Sequence, residues 1–197
     1  MANHGVMATP ADINEWRGAS KREIIRHFVE RQQTAPGTDR EKLSSVIYQE
    51  FSARLSEIYR GVPPIAGAED AIRSLRQSGY LLATNTGFDR EITLPIIHRL
   101  GWEKYFAAIV CSDDVAQGRP APFMLFHAME AARVNSVAEV MAVGDTPLDL
   151  QAGNNAGLRG VVGVLSGVSR AEQLNREPHT HILESVASLP GLLSSKI

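Results

Sequence analysis

The sequence predicts an α/β fold, a doubly wound parallel sheet, preceded by a unit made of helices alone. As far as Gly61-Val62-Pro63-Pro64, every apolar pattern has the spacing of a helix. Beyond the double proline, helical patterns alternate with short apolar runs. Such alternation is typical of parallel sheets that carry helices on both faces. We therefore predict a helical unit over residues 1–61 and an α/β unit over residues 62–197.

Two helices are predicted in the first unit, separated by the turn-forming segment Pro36-Gly37-Thr38-Asp39. The first helix follows Ser20, a residue type that caps helices. Its apolar stripe consists of Ile24, Ile25, Phe28 and Val29. The second, longer helix has an apolar residue at every third or fourth position, namely Leu43, Ile47, Phe51, Leu55 and Ile58. Both stripes indicate amphipathic helices.

The second unit alternates helix and strand to its end. Strands are predicted at residues 80–84, 107–111, 140–143, 160–165 and 181–183. Helices are predicted at residues 68–77, 89–100, 122–133 and 147–156, and a last helix follows the fifth strand. In an open parallel sheet, ligands bind beyond the carboxyl ends of the strands. Functional residues are therefore expected in the loops that follow strands.

Composition argues against several classes of partner. The 197 residues are 44% hydrophobic, enough for a sizeable core, and 20 basic and 22 acidic residues give a net charge of −2. Balanced charge does not indicate binding to nucleic acid or to a membrane surface. Cys111 is the single cysteine, so no internal disulfide forms, and it is expected to be buried. Without a membrane-length apolar stretch or a secretory signal pattern, we expect a cytoplasmic protein.

The stretch Gly144-Asp145-Thr146-Pro147-Leu148-Asp149 is the most informative in the chain. It joins the predicted strand at residues 140–143 to a helix that Pro147 is suited to open. Asp145 and Asp149 then lie about one helical turn apart and can face the same cleft. Two such carboxylates suit Mg²⁺, which binds few protein carboxylates together with water and a substrate phosphate. Helix capping is the alternative, because free amides stabilise an acid near a helix N-terminus.

Two further strand ends carry polar groups. Thr84-Asn85-Thr86-Gly87 offers hydroxyls, an amide and backbone N–H groups that can hold an anion, although these residue types also form ordinary turns. In Gly118-Arg119-Pro120-Ala121-Pro122, two prolines stiffen the loop around one guanidinium. Arg119 therefore either binds a phosphate with two hydrogen bonds or is a solvated surface charge.

In combination, the hydroxyl loop, the arginine loop and the Gly-Asp-x-x-x-Asp turn resemble the second, third and fourth motifs of the haloacid dehalogenase superfamily. Arginine in the third motif resembles the phosphonatase-like branch, named after phosphonoacetaldehyde hydrolase. The similarity continues in Thr84-Asn85-Thr86-Gly87-Phe88-Asp89-Arg90, Ala152-Gly153-Asn154-Asn155-Ala156-Gly157 and Pro178-His179-Thr180-His181. It covers nearly the whole chain.

The resemblance implies a phosphotransfer site at the end of the sheet, covered by a helical cap that comprises residues 1–61. It implies that Asp145 binds Mg²⁺ directly and that Asp149 is a second ligand or orients metal-bound water. Thr84 and Asn85, with nearby backbone amides, would bind the transferring group. Arg119 would offset negative charge on the phosphoryl oxygens, so that Thr84 and Arg119 would be catalytic residues.

One motif of the family is missing from the sequence. The family's nucleophile is the first aspartate of Asp-x-Asp-x-Thr, which follows an apolar strand ahead of the cap, and the sequence contains no such segment. Asp113-Asp114 follows a different strand and is expected to be a solvated turn, so we assign no nucleophile. Because the family's first strand is central, its absence would leave the neighbouring strands with unpaired edges. We expect the natural protein to begin upstream of Met1.

Lys21, at the start of the first long helix, resembles the cap lysine with which phosphonoacetaldehyde hydrolases form an imine. Related phosphatases also place a lysine or arginine there to contact substrate. A surface lysine is the alternative. We expect Lys21 to contact substrate, and imine formation stays open.

Two functions are consistent with these residues. The first is a Mg²⁺-dependent hydrolase of a small phosphate or phosphonate substrate, acting through an aspartyl-phosphate as in the family, and working as a monomer or homodimer. The alternative is a binding module that retains Asp145, Asp149 and Arg119 and holds a phosphorylated ligand without turnover. A nucleotide-binding Rossmann protein fits less well, because no Gly-x-Gly-x-x-Gly turn follows an early strand.

Overall fold

A computed structural model of the chain describes residues 1–32 and 37–194. Its helices are α1 (Pro10–Glu15), α2 (Lys21–Arg31), α3 (Arg40–Tyr59), α4 (Ala68–Gln77), α5 (Arg90–Leu100), α6 (Phe123–Ala131), α7 (Pro147–Asn155), α8 (Ala171–Leu174) and α9 (Leu189–Ser194). Its strands are β1 (Ala83–Asn85), β2 (Ala108–Val110), β3 (Met141–Gly144), β4 (Gly160–Val164) and β5 (His181–Leu183). The predicted alternation is confirmed, although Pro36 of the separating segment lies outside the described residues. Within the described residues, no helix is both long and apolar enough to cross a membrane.

The strands form two separate parallel sheets. β1 pairs with β2, and β4 lies between β3 and β5. All of these pairs are parallel, which confirms the predicted class of α/β fold. The predicted single sheet is, however, interrupted between β1 and β3.

Burial shows the same interruption. All five residues of β4 are buried, as expected for a strand with a neighbour on each side. By contrast, β3 is only half-buried along its length, and β1 is partly exposed. In the part of the chain that is described, β1 and β3 each have one edge that pairs with no strand. The same holds for β2 and β5, the other outer strands of the two sheets, so the missing central strand stays a prediction.

The strand predicted at residues 80–84 begins later than expected, at Ala83. Tyr80 and Leu81 precede it and are 39% and 58% exposed. Their apolar side chains suit a strand buried on both faces, but a strand with a partner on one edge only is covered less completely. The interruption of the sheet therefore explains why β1 is shorter than the apolar run.

Residues 1–61, which we call the helical segment, enclose a core of their own. Its buried members are Val6, Ile25, Phe28, Val29, Ile47 and Tyr48. These include four of the nine residues of the two predicted stripes, and three more, Ile24, Leu43 and Phe51, pack against them. Ile58 is 57% exposed, contrary to the prediction. Because α3 has 20 residues and α2 only 11, the last turns of α3 extend beyond α2.

The start of α2 differs from the prediction in one respect. Lys21 is its first residue, as expected, but the Ser20 side chain makes no capping hydrogen bond. Ser20 is instead buried against the loop after β2, where a Cβ on Gly118 would lie 3.3 Å from the Ser20 Cβ. Packing against the α/β part therefore fixes this turn.

The turn at Gly18 and Ala19 contacts the loops that follow both β1 and β3. Gly18 adopts a φ of +92° and lies against the side chain of Thr146, just after β3. A Cβ on Gly87, after β1, would lie 2.6 Å from the Ala19 carbonyl oxygen and 2.9 Å from that of Gly18. Two residues of the helical segment thus bridge the loops at the ends of the two unpaired strands.

We expect Gly87→Ala to weaken the contact between the helical segment and the loop after β1. The added methyl group would overlap two backbone carbonyl oxygens, which cannot move without displacing the turn. Overpacking of this kind costs about 1–3 kcal/mol, and urea denaturation should show a fall of that size in the free energy of unfolding. Gly61→Ala is the control, because a Cβ there has no neighbour within 4 Å. Equal effects of the two substitutions would contradict the close contact at Gly87.

Candidate active site

Asp149 belongs to the cap of α7. β3 ends at Gly144, Thr146 is the N-cap residue, and Pro147 opens the helix as predicted. Asp149 Oδ2 accepts hydrogen bonds from Thr146 Oγ1 at 2.7 Å and from Thr146 N at 2.9 Å. Gly144 leaves room for this carboxylate, because a Cβ there would overlap the Asp149 side chain. The capping role left open by the sequence therefore applies to one oxygen of Asp149.

The other oxygen of Asp149 binds Arg119. Arg119 Nη1 donates to Asp149 Oδ1, and each side chain is only 10% exposed. Burial lowers the pKa of Arg119 to about 10, and the nearby Asp145 carboxylate opposes that shift. Arg119 is therefore not a solvated surface charge. Its buried ion pair fixes the direction in which the guanidinium points.

Arg119 also has unused donor capacity. Within the described residues, its Nε atom is buried and has no hydrogen-bond partner. A buried donor without a partner costs about 1–3 kcal/mol. An anion placed against Nε would remove that cost, so the guanidinium is suited to bind one.

Asp145 follows β3 directly and is half-buried. Its Oδ2 atom accepts a hydrogen bond from Val168 N at 2.8 Å. Gly167 fits beside this carboxylate because a Cβ there would overlap it. Oδ1 accepts no hydrogen bond from any described residue, which leaves one oxygen of Asp145 open to the site.

The two predicted ligands of Mg²⁺, Asp145 and Asp149, differ in how many of their oxygens are already bound. Among residues 1–32 and 37–194, no group of three or more His, Cys, Asp or Glu side chains is arranged to hold a metal ion. Thr146 and Arg119 engage both oxygens of Asp149, whereas Asp145 Oδ1 is open. Mg²⁺ commonly takes one or two protein carboxylates and completes its shell with water and phosphate. The donor set is therefore compatible with the ion, and the roles of Asp145 and Asp149 in binding it stay predictions.

Lys21 reaches this site from the helical segment. Its backbone N–H donates to Gly87 O at 3.3 Å, and its Nζ atom donates to Ala19 O at 3.0 Å. Nζ also lies 5.7 Å from the centroid of the Phe88 ring. Burial, assisted by the positive charge of Arg119, lowers the pKa of Lys21 to about 8. Lys21 and Arg119 are therefore near enough for the charge of one to affect the pKa of the other.

Thr84 and Asn85 are the last two residues of β1 and are half-buried. Their side chains make no hydrogen bond to any residue that the structure describes. The loop that follows them contacts Lys21 through Gly87 and Phe88. The roles of Thr84 and Asn85 in binding a ligand therefore stay predictions.

A cleft of about 510 Å³ opens beside Arg119, between α2 and the loop after β2. Trp16, Glu23 and His27 of the helical segment line its other side. Glu23 Oε1 accepts a hydrogen bond from Gly118 N at 3.1 Å, which ties α2 to the arginine loop. The cleft is large enough to give a small ligand access to Arg119.

Asp89 is a residue of this region that the sequence did not single out. It is 1% exposed, and its carboxylate accepts hydrogen bonds from Arg22 Nε of the helical segment and from Ser112 Oγ. An aspartate before a helix indicates only a cap. No local pattern reveals that its partners lie on other elements.

The prediction for Asp113-Asp114 holds only for Asp113, which is exposed, whereas the Asp114 side chain is 17% exposed. Asp113 Oδ1 accepts a hydrogen bond from Arg90 N at 2.9 Å, and Asp114 forms an ion pair with the Arg90 side chain. Asp114 Oδ2 also accepts from Cys111 N at 2.8 Å. The pair therefore fixes the start of α5 to the end of β2, where a solvated turn was expected.

Comparison with known proteins gives consistent results. A family profile described as haloacid dehalogenase-like hydrolase matches residues 2–163. Phosphonoacetaldehyde hydrolase of Bacillus cytotoxicus is 30% identical over 187 residues, which are 89% of this chain and 69% of that protein. A plasmid-encoded phosphoglycolate phosphatase of Cupriavidus necator is 28% identical over 162 residues, covering 80% of this chain and 67% of that protein.

Solved structures show the same fold. A phosphonoacetaldehyde hydrolase-like protein from Oleispira antarctica superimposes with a TM-score of 0.79 and 23% identity, covering 98% of this chain and 81% of that one. A hydrolase from Pseudomonas syringae gives a TM-score of 0.81 at 16% identity, covering 99% of this chain and 87% of that one. At such identities the similarity establishes the fold alone.

We expect Asp149→Ala to destabilise the protein strongly, because it leaves the Arg119 guanidinium buried without its counter-charge. Breaking a buried pair from one side costs about 3–5 kcal/mol, which urea denaturation would measure. Asp70→Ala is the matched control. Asp70 also lies in the first turn of a helix, but its side chain is 87% exposed. Its ion pair with Arg73 is long, at 3.8 Å, so loss of Asp70 should cost less than about 1 kcal/mol. Similar losses for both variants would contradict a buried ion pair at Asp149.

Lys21 should react as a neutral amine at unusually low pH. Because of its lowered pKa, Lys21 is unprotonated in half of the molecules at about pH 8, and this reactive fraction rises above that pH. Acetic anhydride labelling, read by peptide mass spectrometry, should give a midpoint near that value. The exposed Lys104 provides a reference in the same samples. A Lys21 midpoint at about 10.4, the ordinary lysine value, would contradict its burial beside Arg119.

Proposed function

The chain belongs to the haloacid dehalogenase-like hydrolase family, in its phosphonatase-like branch, and we propose that it is a Mg²⁺-dependent hydrolase of small phosphate or phosphonate substrates. The observation that carries the proposal is the meeting of two cations, Lys21 and Arg119, next to the open carboxylate oxygen of Asp145. Asp149 pairs with one side of Arg119, so the unpaired Nε of Arg119 and the amine of Lys21 are the donors that remain for an anion. A phosphoryl group is an anion of suitable size and charge for that place.

Each residue has a distinct part in the proposed reaction. Arg119 donates to the phosphoryl oxygens through the atoms that Asp149 leaves free, and Asp149 holds the guanidinium in that direction. Thr84 and Asn85, with the backbone amides that follow them, bind the transferring group. Most of the rate enhancement then comes from fixed charges and from positioning of the substrate.

Asp145 Oδ1 would hold Mg²⁺, which when bound would supply positive charge to the phosphoryl group. Val168 N and Gly167 hold the Asp145 carboxylate in a single orientation. Arg119 would supply the second positive charge. This arrangement stabilises the charge that develops on its oxygens during transfer.

Two kinds of substrate are compatible with Lys21. A protonated Lys21 contacts an oxyanion of a phosphate ester. A neutral Lys21, favoured by its lowered pKa, attacks the carbonyl carbon of a phosphonate aldehyde and forms an imine, with water as the leaving group. The phosphonoacetaldehyde hydrolases among the relatives support the second kind, and the phosphoglycolate phosphatase supports the first.

A binding module without turnover is the second candidate function. The sequence contains no Asp-x-Asp-x-Thr, and β1 and β3 each have an unpaired edge among the described residues. The proposal for either function includes a small phosphorylated or phosphonate ligand, a monomer or homodimer, and a cytoplasmic location. The buried free thiol of Cys111 is consistent with a reducing compartment.

Hydrolysis assays distinguish the two functions. We expect release of phosphate from p-nitrophenyl phosphate or from phosphonoacetaldehyde, dependent on Mg²⁺ and reduced about 10²–10³-fold by Asp145→Asn. The 197-residue chain is assayed alone and with an added peptide that carries an apolar strand ending in Asp-x-Asp-x-Thr. Asp70→Asn, at an exposed position, is the control.

Binding and turnover together decide between the hydrolase and the binding module. Saturable binding of inorganic phosphate in calorimetry, without turnover in either assay, would replace the hydrolase by the binding module. Absence of both binding and turnover would reject both functions. Borohydride added with phosphonoacetaldehyde should leave a reduced adduct on Lys21 if an imine forms, and a lack of adduct would leave only the oxyanion contact.

A further inference from the structure

We propose that Asp89 is a positioning residue that couples the helical segment to the α/β part and thereby holds Lys21 beside Arg119. The inference rests on the proposed function only in taking Lys21 as a substrate contact. Asp89 itself lies behind the site and does not touch the substrate.

The first observation is that Asp89 does not cap its own helix. It is the N-cap residue of α5, but its side chain makes no capping hydrogen bond. The hydrogen bond from the first helical N–H, that of Arg90, is accepted by Asp113 instead of Asp89. Capping by aspartate contributes about 0.5–2 kcal/mol, so a buried carboxylate directed away from its helix has a stronger interaction elsewhere.

That interaction crosses between the two parts of the molecule. Asp89 Oδ1 accepts from Ser112 Oγ at 2.6 Å, on the side of the α/β part. Asp89 Oδ2 accepts from Arg22 Nε, on the side of the helical segment. Asp89 is 1% exposed, whereas the Arg22 side chain is 54% exposed. The carboxylate is therefore the buried, fixed member, and Arg22 is anchored to it.

Arg22 is in turn fixed to the rest of the helical segment. Its guanidinium carbon lies 3.9 Å from the centroid of the Tyr48 ring on α3. Burial, with Asp89 as a second cause, raises the pKa of Tyr48, so the phenol stays neutral beside this ion pair. Arg22 thus connects α2, α3 and the loop after β1 at one point.

Lys21 immediately precedes Arg22 in the first turn of α2. Its own contacts with the loop after β1 are weak, namely a 3.3 Å hydrogen bond to Gly87 O and an approach of 5.7 Å to the Phe88 ring. A charge-assisted hydrogen bond is about twice as strong as a neutral one. The Arg22–Asp89 contact is therefore the strongest of the three that join the start of α2 to the loop after β1, while Glu23 accepts from Gly118 N in the loop after β2.

A second contact between the two parts offers a matched control. Ser52 Oγ on α3 donates to Glu91 Oε1 on α5, and neither residue belongs to α2. If any contact between the parts were sufficient to place Lys21, loss of this one would have the same effect as loss of the Arg22–Asp89 contact. Under the proposal, Ser52→Ala leaves Lys21 in place.

The test measures the pH midpoint of Lys21 labelling by acetic anhydride in folded variants, with Lys104 as reference. The groups that face the Lys21 amine are Arg119, the Phe88 ring and the Ala19 carbonyl. We expect Asp89→Asn and Arg22→Gln each to raise the midpoint from about 8 toward about 10. Ser52→Ala should leave it unchanged.

The two charge changes have opposite direct effects, which makes the comparison decisive. Removing the Asp89 charge directly lowers the pKa of a nearby lysine, whereas removing the Arg22 charge raises it. Only a displacement of Lys21 into water raises the midpoint in both variants. A midpoint that falls or stays constant in Asp89→Asn would overturn the proposal.

Ser112→Ala covers the case in which Asp89→Asn does not fold. It changes no charge and removes one of the two groups that hold the carboxylate. A raised midpoint in Ser112→Ala supports the proposal, and an unchanged one overturns it. Because labelling requires no turnover, this result does not depend on the hydrolysis assays. Where turnover is found, loss of positioning should also raise KM more than it lowers kcat, because binding of the substrate is affected first.

Discussion

The buried ion pair between Arg119 and Asp149 joins the two sheets of this protein. Arg119 follows β2 in the first sheet, and Asp149 lies in the helix after β3 in the second. Asn155 Nδ2 reinforces the junction by donating to Pro120 O at 2.8 Å. No strand pairing connects the two sheets among the described residues. The relative position of the loops that form the site therefore depends on this pair together with the packing of Leu125 on α6 against Ala152 and the C-cap residue Ala156 of α7.

The same pair determines the electrostatics of the site. Asp149 neutralises only one side of the guanidinium, because its other oxygen is held by Thr146. The ammonium of Lys21 is the second cation of the site and Asp145 is the second carboxylate, so the formal charges balance. Burial weakens the screening of these charges by water. The donors that stay open for an anionic ligand are the unpaired Nε of Arg119 and the amine of Lys21, and the order of residues along the chain does not reveal that the two cations meet.

Sequence reasoning identified the features that depend on local pattern. The strand after Gly160, the turn from Gly144 to Pro147 and the start of α2 all follow from hydrophobic period and turn chemistry. The partners of Asp89 and Asp149 could not be found in this way, because Arg22 and Arg119 are distant in the chain and their selection depends on tertiary packing. The exposure of Leu81 could not be predicted for the same reason. An apolar run indicates a strand, but it does not show how many neighbouring elements cover that strand.

The interruption of the sheet explains why the helical segment matters for the site. In a continuous parallel sheet, neighbouring strands hold the loops at their carboxyl ends in register. Here the loops after β1 and β3 follow strands that share no partner among the described residues, and both contact the turn at Gly18 and Ala19. That turn is fixed on one side by the packing of Ser20 and on the other by the anchoring of Arg22 at Asp89. The helical segment therefore both covers the site and holds together loops that strand pairing would otherwise align.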